Sequence, residues 1–417
     1  MKTKAVRLYG ANDLRLEEFE LPEIKDDEIL VEIISDSICM STYKCAILGE
    51  KHKRVPKDVS ENPIIIGHEF AGNIVKVGKK WQDQFKPGTK FAQQPALNYK
   101  GSMASPGYSY MYFGGDATYA IVPPEVMELG CLINYKGDAY YEASLAEPMS
   151  CIIGAYHATY HTEMGKYTHF MGIKDKGNLA ILAGAGPMGL GTIDYALHGD
   201  KNPKLVVVTD VDSNRLERAR EIFEDEANKC GIKLIFVNTK EIADPDNYLM
   251  EISEGHGYDD VFAMAPVREV VEQADRILAR DGCLNFFAGP TDTNFKGEIN
   301  FYNVHYNSTH VMGTTGGNTD DLIESLKLTE NKKINPACMV THIGGLDSVI
   351  ETTLNLPKIL GGKKLIYTQI NMPLTAIEDF REKAKEDKRF EKLAEIVENN
   401  KGLWSVEAEK YLLENFR

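Results

Sequence analysis

The sequence predicts an α/β protein: a doubly wound parallel sheet joined to a second, mostly β domain. Two observations carry this reading. From about Asn178 onward, short apolar strands alternate with helical segments, the texture of a parallel sheet covered on both faces. The first half carries instead short, β-branched pieces punctuated by Gly, Pro and Asp. A chain of 417 residues also exceeds one comfortable core, so two domains are expected. The expected division is residues 1–155 for the mostly β domain, with 313–417 returning to it, and 156–312 for the doubly wound domain.

In order, "AVRLYG", "EILVEII", "AGNIVKVG" and "ATYAIVPP" read as strands. Between Phe91 and Thr118 lies a loop rich in Gly, Ser, Tyr and Pro, without cysteine. "NLAILAG" is an apolar strand, and "PMGLGTIDYALH" a helix with Pro187 in its first turn, where a missing N–H costs nothing. "KLVVVTD" is the next strand, and "SNRLERAREIFEDEA" a helix for which Ser213 is the expected cap. The strands "KLIFVN" and "YDDVFAMA", the helix "VREVVEQADRILAR" and the strand "GCLNFFAG" follow, and the unit ends near "THVMGTTGG". The last hundred or so residues finish in a charged helical tail, "LTAIEDFREKAKEDKRFEKLAEIVENN", whose charges read as a solvated face.

With 47 basic against 62 acidic side chains the formal charge is −15, which argues against nucleic acid or an anionic membrane as the main partner. A small anionic substrate stays possible, because one pocket can be locally basic. Seven scattered cysteines without a CxxC pair suit a reducing compartment. The start, "MKTKAVRLYG", lacks the apolar core of a signal peptide, and "LAILAGAGPMGLGTI" is too short to cross a bilayer. A cytoplasmic protein is expected.

Gly184-Ala-Gly-Pro-Met-Gly189 matches GxGxxG directly after a strand and at the opening of a helix, the context that turns a weak signal into a dinucleotide-binding one. Gly184 is expected to allow the tight turn, Gly186 to let backbone approach a pyrophosphate, and Gly189 to let the helix pack closely. Pro187 and Met188 open the helix, whose N-terminal N–H groups face the phosphates. Asp210 ends the next strand, where a carboxylate accepts from both ribose hydroxyls and repels a 2′-phosphate. NAD(H) is therefore favoured; Arg215 nearby keeps NADP(H) open.

Cys39 follows the apolar run "EILVEII", His68 and Glu69 follow "PIII", and Glu147 precedes Pro148. Taken singly, each has a bland reading: a core thiol, a satisfied core pair, a glutamate before a proline. Together with the glycine loop, "CMS", "GHEFAG", "AEPMSC" and "GAGPMG" resemble the zinc-dependent medium-chain dehydrogenases of the alcohol/polyol type. The resemblance extends through "VRLYGANDLRLE", "PIIIGHEF", "GPMGLGTIDYALHGDKNP", "GCLNFFAGP", "INFYNVHYNSTHVMGTTGGNTDD" and "GGKKLIYT", nearly the whole chain, and is strongest to the branch that reduces L-sorbose 1-phosphate.

That resemblance implies a GroES-like catalytic domain beside a Rossmann domain. It implies a catalytic Zn²⁺ on Cys39, His68 and Glu147, with Glu69 as a supporting or alternating ligand. Three protein ligands leave an open position, which catalysis requires. It also implies that Ser41 hands over the proton, with Thr42 as understudy. The implied reaction is hydride transfer between NAD(P)H and a ketose or polyol phosphate, with L-sorbose 1-phosphate to D-glucitol 6-phosphate expected first. A dehydrogenase of a free polyol such as sorbitol or xylitol is the alternative, and a non-catalytic nucleotide-binding protein the remote one.

Two departures from the family pattern matter. Many members carry a four-cysteine structural zinc lobe, which would fall near residues 91–118; no cysteine stands there, so one zinc per chain is expected. Members also often place a relay histidine where this chain has Lys44, which reads equally as a phosphate or ribose contact or as an exposed lysine. Lys100 is a second basic candidate for a phosphate. The edge strand near 310–315 suggests a homodimer or homotetramer.

Overall fold

The structure is a computed structural model that describes all 417 residues, Met1–Arg417. The chain divides into two compact units, Met1–Pro148 with Asn318–Arg417, and Met149–Gly317. These boundaries differ from the 155/156 and 312/313 read from the sequence. The first falls inside the helix Ala146–Ala158, which continues without a break in texture, so composition could not mark the transition.

The unit Met149–Gly317 holds a six-stranded sheet ordered Lys233–Asn238, Leu205–Asp210, Asn178–Leu182, Tyr258–Ala263, Leu278–Phe286 and His310–Met312. All five pairings are parallel. Every residue of the three central strands is buried, which is why they read as continuous apolar runs. The chain enters at the middle, winds outward one way, then returns and winds the other, so the strand order reverses beside Asn178–Leu182, where doubly wound sheets bind ligands.

Three sequence expectations need correction here. The helix Ser213–Cys230 is capped by Asp212, not Ser213: Asp212 is extended, and its carboxylate accepts from the amides of Asn214 and Arg215. The helix expected over 267–280 is Arg268–Arg276, and Leu278 already begins a strand. Pairing of Leu278 with Tyr258 overrides the helical periodicity of that short run. The charged tail is not one helix. It breaks into Phe380–Lys383 and Arg389–Asn399, the second of which buries Phe390, Leu393, Ala394, Ile396 and Val397.

The other unit is built around the strand Ile29–Ile38. On one side it pairs with Ala71–Val77. On the other, its first half pairs with Tyr119–Val122 and its last half with Lys363–Tyr367, all antiparallel. The sheet continues through Lys90–Gln93 and Leu132–Tyr135 at one end and Val340–Gly345 and Thr375–Ala376 at the other. A separate three-stranded sheet orders Asp13–Glu20, Lys2–Gly10 and Ile64–Ile65.

Glu409, on the helix Val406–Asn415, ties this unit's last helix to its sheet. Its buried carboxylate accepts from the amides of Tyr140 and Tyr141 at 2.6 and 2.8 Å, capping the helix Tyr140–Ser144, and from the Tyr367 hydroxyl at 2.8 Å. The Trp404 indole donates to the same hydroxyl at 2.7 Å. Glu409→Ala strands three buried donors and should cost about 3–5 kcal/mol, whereas Glu409→Gln, which keeps one acceptor, should cost about half as much. Thermal unfolding of the two variants beside the parent measures this; equal melting temperatures in all three would show that the carboxylate is not a structural tie.

Candidate functional site

The strand Ile29–Ile38 delivers Cys39 at the point where regular pairing stops. Cys39 is the extended residue before the helix Met40–Leu48. The register Lys364↔Ile38 places Lys363 across from Cys39 on the neighbouring strand. On the opposite side, Ser37 N–H donates to the Glu69 carbonyl at 3.1 Å, which lays the Gly67–Phe70 segment beside the strand end. Gly67 adopts φ +88°, and a Cβ there would fall 2.0 Å from Asp36 Oδ2, so only glycine fits before His68.

Cys39 Sγ, a ring nitrogen of His68 and a carboxylate oxygen of Glu69 consequently lie within 4.8 Å of one another. The His68 ring is held by Thr42 Oγ1 at 3.2 Å from Nδ1 and by the Tyr108 hydroxyl at 3.2 Å from Nδ1 and 3.3 Å from Nε2. Gln93 donates to the His68 carbonyl at 2.6 Å. Ser41 Oγ–H donates to Cys39 Sγ at 3.0 Å and lies 3.3 Å from His68 Nε2. The Lys363 ammonium contacts both Glu69 oxygens, at 2.5 and 2.6 Å, and Ser37 donates to Oε2.

The electrostatics follow from burial. Desolvation pushes the Cys39 thiol up, although Lys363 and Ser41 oppose it. Desolvation holds His68 low, so its imidazole is a neutral ligand at neutral pH. Desolvation by itself would raise Glu69, but the Lys363 ammonium, and then His68, hold it below the ordinary glutamate range. Glu147 is pushed up to about 7, first by burial and then by the charge of Glu69, with Cys39 also acting on it. Beside them Asp36 and Asp116 form a buried carboxyl pair. Burial and the charge of Asp116 raise Asp36, and burial takes Asp116 to about 7.

A thiol and two glutamates thus share a desolvated region in which Lys363 supplies the compensating charge. A divalent cation would remove this imbalance, and thiolate, imidazole and carboxylate form a donor set suited to Zn²⁺. The residues fit the metal. Lys363, Tyr108 and Gln93 were not singled out in the sequence. Lys363 was visible only within "GGKKLIYT", and nothing local tied it to a residue 294 positions away. Lys44 lies half-buried on the helix Met40–Leu48, where its charge bears on His52. Lys100, on the 91–118 segment, is exposed and stacks on the Tyr99 ring at 4.7 Å.

In the other unit, Gly186 precedes the helix Pro187–His198, with Pro187 in its first turn. A Cβ on Gly186 would meet nothing within 4 Å, so the loop leaves open space at the helix N-terminus for a pyrophosphate. A Cβ on Gly189 would fall 2.0 Å from the Gly184 carbonyl oxygen, which explains the third glycine. The tight-turn role expected of Gly184 belongs to Ala183, at φ +53°. Gly184 is required for space, since a Cβ there would lie 2.6 Å from Ile181 Cγ2. Met188 uses its carbonyl to accept from Thr192 at 2.8 Å. Asp210 faces the loop, accepting from Ala185 N–H at 3.2 Å, and Arg215 pairs with Asp212 at 3.8 Å. The loop fits a dinucleotide.

Residues 25–129 match the family model of the alcohol dehydrogenase GroES-like domain, and residues 187–331 that of the zinc-binding dehydrogenases. The chain is 54% identical to the mannitol-1-phosphate 5-dehydrogenase of Aliivibrio fischeri, with 99% of this chain and 98% of that one covered. It is 48% identical to the L-sorbose 1-phosphate reductase of Klebsiella pneumoniae, with 99% and 97% covered. The crystal structure of 2R,3R-butanediol dehydrogenase from Bacillus subtilis shares the fold, with a TM-score of 0.70, 22% identity, and 88% and 99% of the two chains covered.

Metal capture should report the proton inventory of the site. Zn²⁺ binding through Cys39 and Glu147 would displace the Cys39 proton throughout the neutral range, and below about pH 7 the Glu147 proton as well. Apparent Zn²⁺ affinity, from chelator competition, should therefore rise about tenfold per unit increase in pH above pH 7.5 and about 100-fold per unit increase below 6.5. Cys39→Ala should lose both metal and turnover; an active, metal-free Cys39→Ala protein would rule the assignment out.

Proposed function

This chain belongs to the zinc-dependent medium-chain alcohol and polyol dehydrogenases, and we propose that within them it interconverts a phosphorylated hexitol and the corresponding ketose phosphate with NAD(H). One observation carries this: the cluster of Cys39, His68 and Glu69, with the buried Glu147 close enough to feel their charges, in a chain about half identical over its length to relatives named for sugar phosphates. Reduction of L-sorbose 1-phosphate to D-glucitol 6-phosphate is the first reading. The mannitol 1-phosphate pair is the second, favoured by the 54% relative.

Zinc, when bound, supplies Lewis acidity toward the substrate oxygen, and the nicotinamide supplies or accepts the hydride. The chain's own residues do the rest. Cys39, His68 and Glu147 are the proposed metal ligands. Lys363 holds the Glu69 carboxylate beside them, available as a further donor or as a fixed charge. Thr42 and Tyr108 fix the orientation of the His68 ring, as outer partners of metal-bound histidines do. Ser41 Oγ, next to both Cys39 and His68, would relay a proton from solvent to the carbonyl oxygen as charge develops there, taking one up as it gives one, with Thr42 second in line.

Gly184, Gly186, Pro187, Met188 and Gly189 form the proposed cradle for the dinucleotide phosphates. Asp210 would accept from the ribose hydroxyls and disfavour a 2′-phosphate, which supports NAD(H). One zinc per chain is proposed, because residues 91–118 contain no cysteine. The seven free cysteines suit a reducing, cytoplasmic setting, and no helix is long and apolar enough to cross a membrane.

A second copy of the chain is the proposed partner. The strand His310–Met312 ends its sheet with Val311 at 49% exposure, near the helix Phe301–Tyr306, which exposes Phe301, Tyr302 and Tyr306. Light scattering should give a mass of two or four chains; a monomer would refute the assignment of that edge. A panel of phosphorylated and free ketoses with NADH and NADPH, with and without chelator, tests the reaction. It should show chelator-sensitive reduction with kcat/KM favouring ketose phosphates and NADH. Preference for free ketoses would refute the substrate class, and preference for NADPH the role of Asp210.

A further inference from the structure

Residues Lys51 to Arg54, "KHKR", form a basic stretch in a chain whose formal charge is −15. The stretch is anchored by the buried Val55 and packs on Tyr108. The His52 ring stacks on the Tyr108 ring at 5.5 Å with 13° between planes. The Arg54 guanidinium carbon sits 5.3 Å from the centroid of the same ring. The hydroxyl of that tyrosine is the one that contacts His68, whose ring centroid lies 4.9 Å from Tyr108's. One aromatic ring therefore touches both Arg54 and a proposed metal ligand.

Arg54 is braced but not neutralised. One of its terminal nitrogens donates to Ser105 Oγ at 3.1 Å, its amide donates to His52 Nδ1 at 3.3 Å, and its carbonyl accepts from Ser109 Oγ at 2.7 Å. It takes part in none of the chain's ion pairs. Its charge reaches inward: it opposes protonation of His68 and favours ionisation of Tyr108. Burial first, and then Arg54, Lys53 and Lys44, push His52 down to about 4, so His52 remains a neutral acceptor at neutral pH. A half-buried guanidinium without a carboxylate, held by a hydroxyl and an aromatic face, has N–H donors left in the planar arrangement that suits a phosphoryl group.

We propose that Arg54 is the specificity-determining residue that binds the phosphoryl group of the substrate, with Lys44 and Lys53 adding positive potential around it. This rests on the ketose-phosphate reading above and names the residue that distinguishes a phosphorylated sugar from its free parent. The general basic candidates of the sequence, Lys44 and Lys100, take a supporting role and no role.

The test measures kcat and KM of the holoenzyme, Arg54→Gln and Arg54→Lys with L-sorbose 1-phosphate against L-sorbose, and D-mannitol 1-phosphate against D-mannitol. Inorganic phosphate is added as an inhibitor of free-sugar turnover. In Arg54→Gln the preference for the phosphorylated member, as a ratio of kcat/KM values, should fall about 100-fold, mainly through KM. Arg54→Lys should recover part of it, because charge is kept and the planar fork is lost. Inhibition by inorganic phosphate should weaken in step. A wild-type preference that survives Arg54→Gln within about threefold would overturn the proposal and leave Arg54 as a brace for Tyr108. A wild-type enzyme with no preference for either phosphorylated sugar would instead overturn the ketose-phosphate reading itself.

Discussion

The contact between the Lys363 ammonium and the Glu69 carboxylate sets the terms for everything around it. Both groups are nearly inaccessible to water, at 6% and 1% side-chain exposure, so each would be costly to bury without the other. With the pair in place, Glu69 stays ionised, and its charge helps raise the neighbouring Glu147. The same ammonium opposes the burial that raises the Cys39 thiol. The region is left poised: it holds more acidic groups than the protein's own cations balance, the condition under which a divalent ion is bound strongly.

That electrostatic arrangement depends on a mechanical one. The strand Ile29–Ile38 changes partner halfway along, from Tyr119–Val122 to Lys363–Tyr367. The change brings a strand from near the end of the chain alongside Cys39, while Ala71–Val77 on the other side carries the His68–Glu69 segment. Asp36 reinforces the junction by accepting from the amides of both Ser37 and Glu69, at 2.8 and 3.0 Å. A thiol, an imidazole and an ion pair therefore meet at the end of a paired strand, which gives these groups a positional precision that loops alone lack.

The apolar strands of the parallel sheet were legible because burial on both faces leaves no room for polar alternation. The helix Pro187–His198 was legible to the residue because a glycine loop and a proline mark its start. The segment Leu278–Phe286 was not, because "RILAR" suits helix and strand alike, and only pairing with Tyr258 decides between them. Ser213 and Asp212 are both competent caps, and backbone geometry selected Asp212. In the site, Cys39, His68, Glu69 and Glu147 stood out through local patterns of recognisable type. Tyr108, Gln93, Arg54 and Lys363 carried no such pattern, since each matters through a neighbour that is distant in the chain.

By itself, the sequence determined the alternation of strands and helices, the glycine loop with its acidic partner, and the residue types able to hold zinc, because these rest on local periodicity and on chemistry written into short segments. Tertiary structure alone decided which charges face one another. Lys363 reaches Glu69 only through strand register, and Arg54 reaches the neighbourhood of His68 only through the ring of Tyr108. Electrostatic interactions act through space and strengthen as water is excluded, and neither separation nor exposure is encoded in the order of residues along the chain.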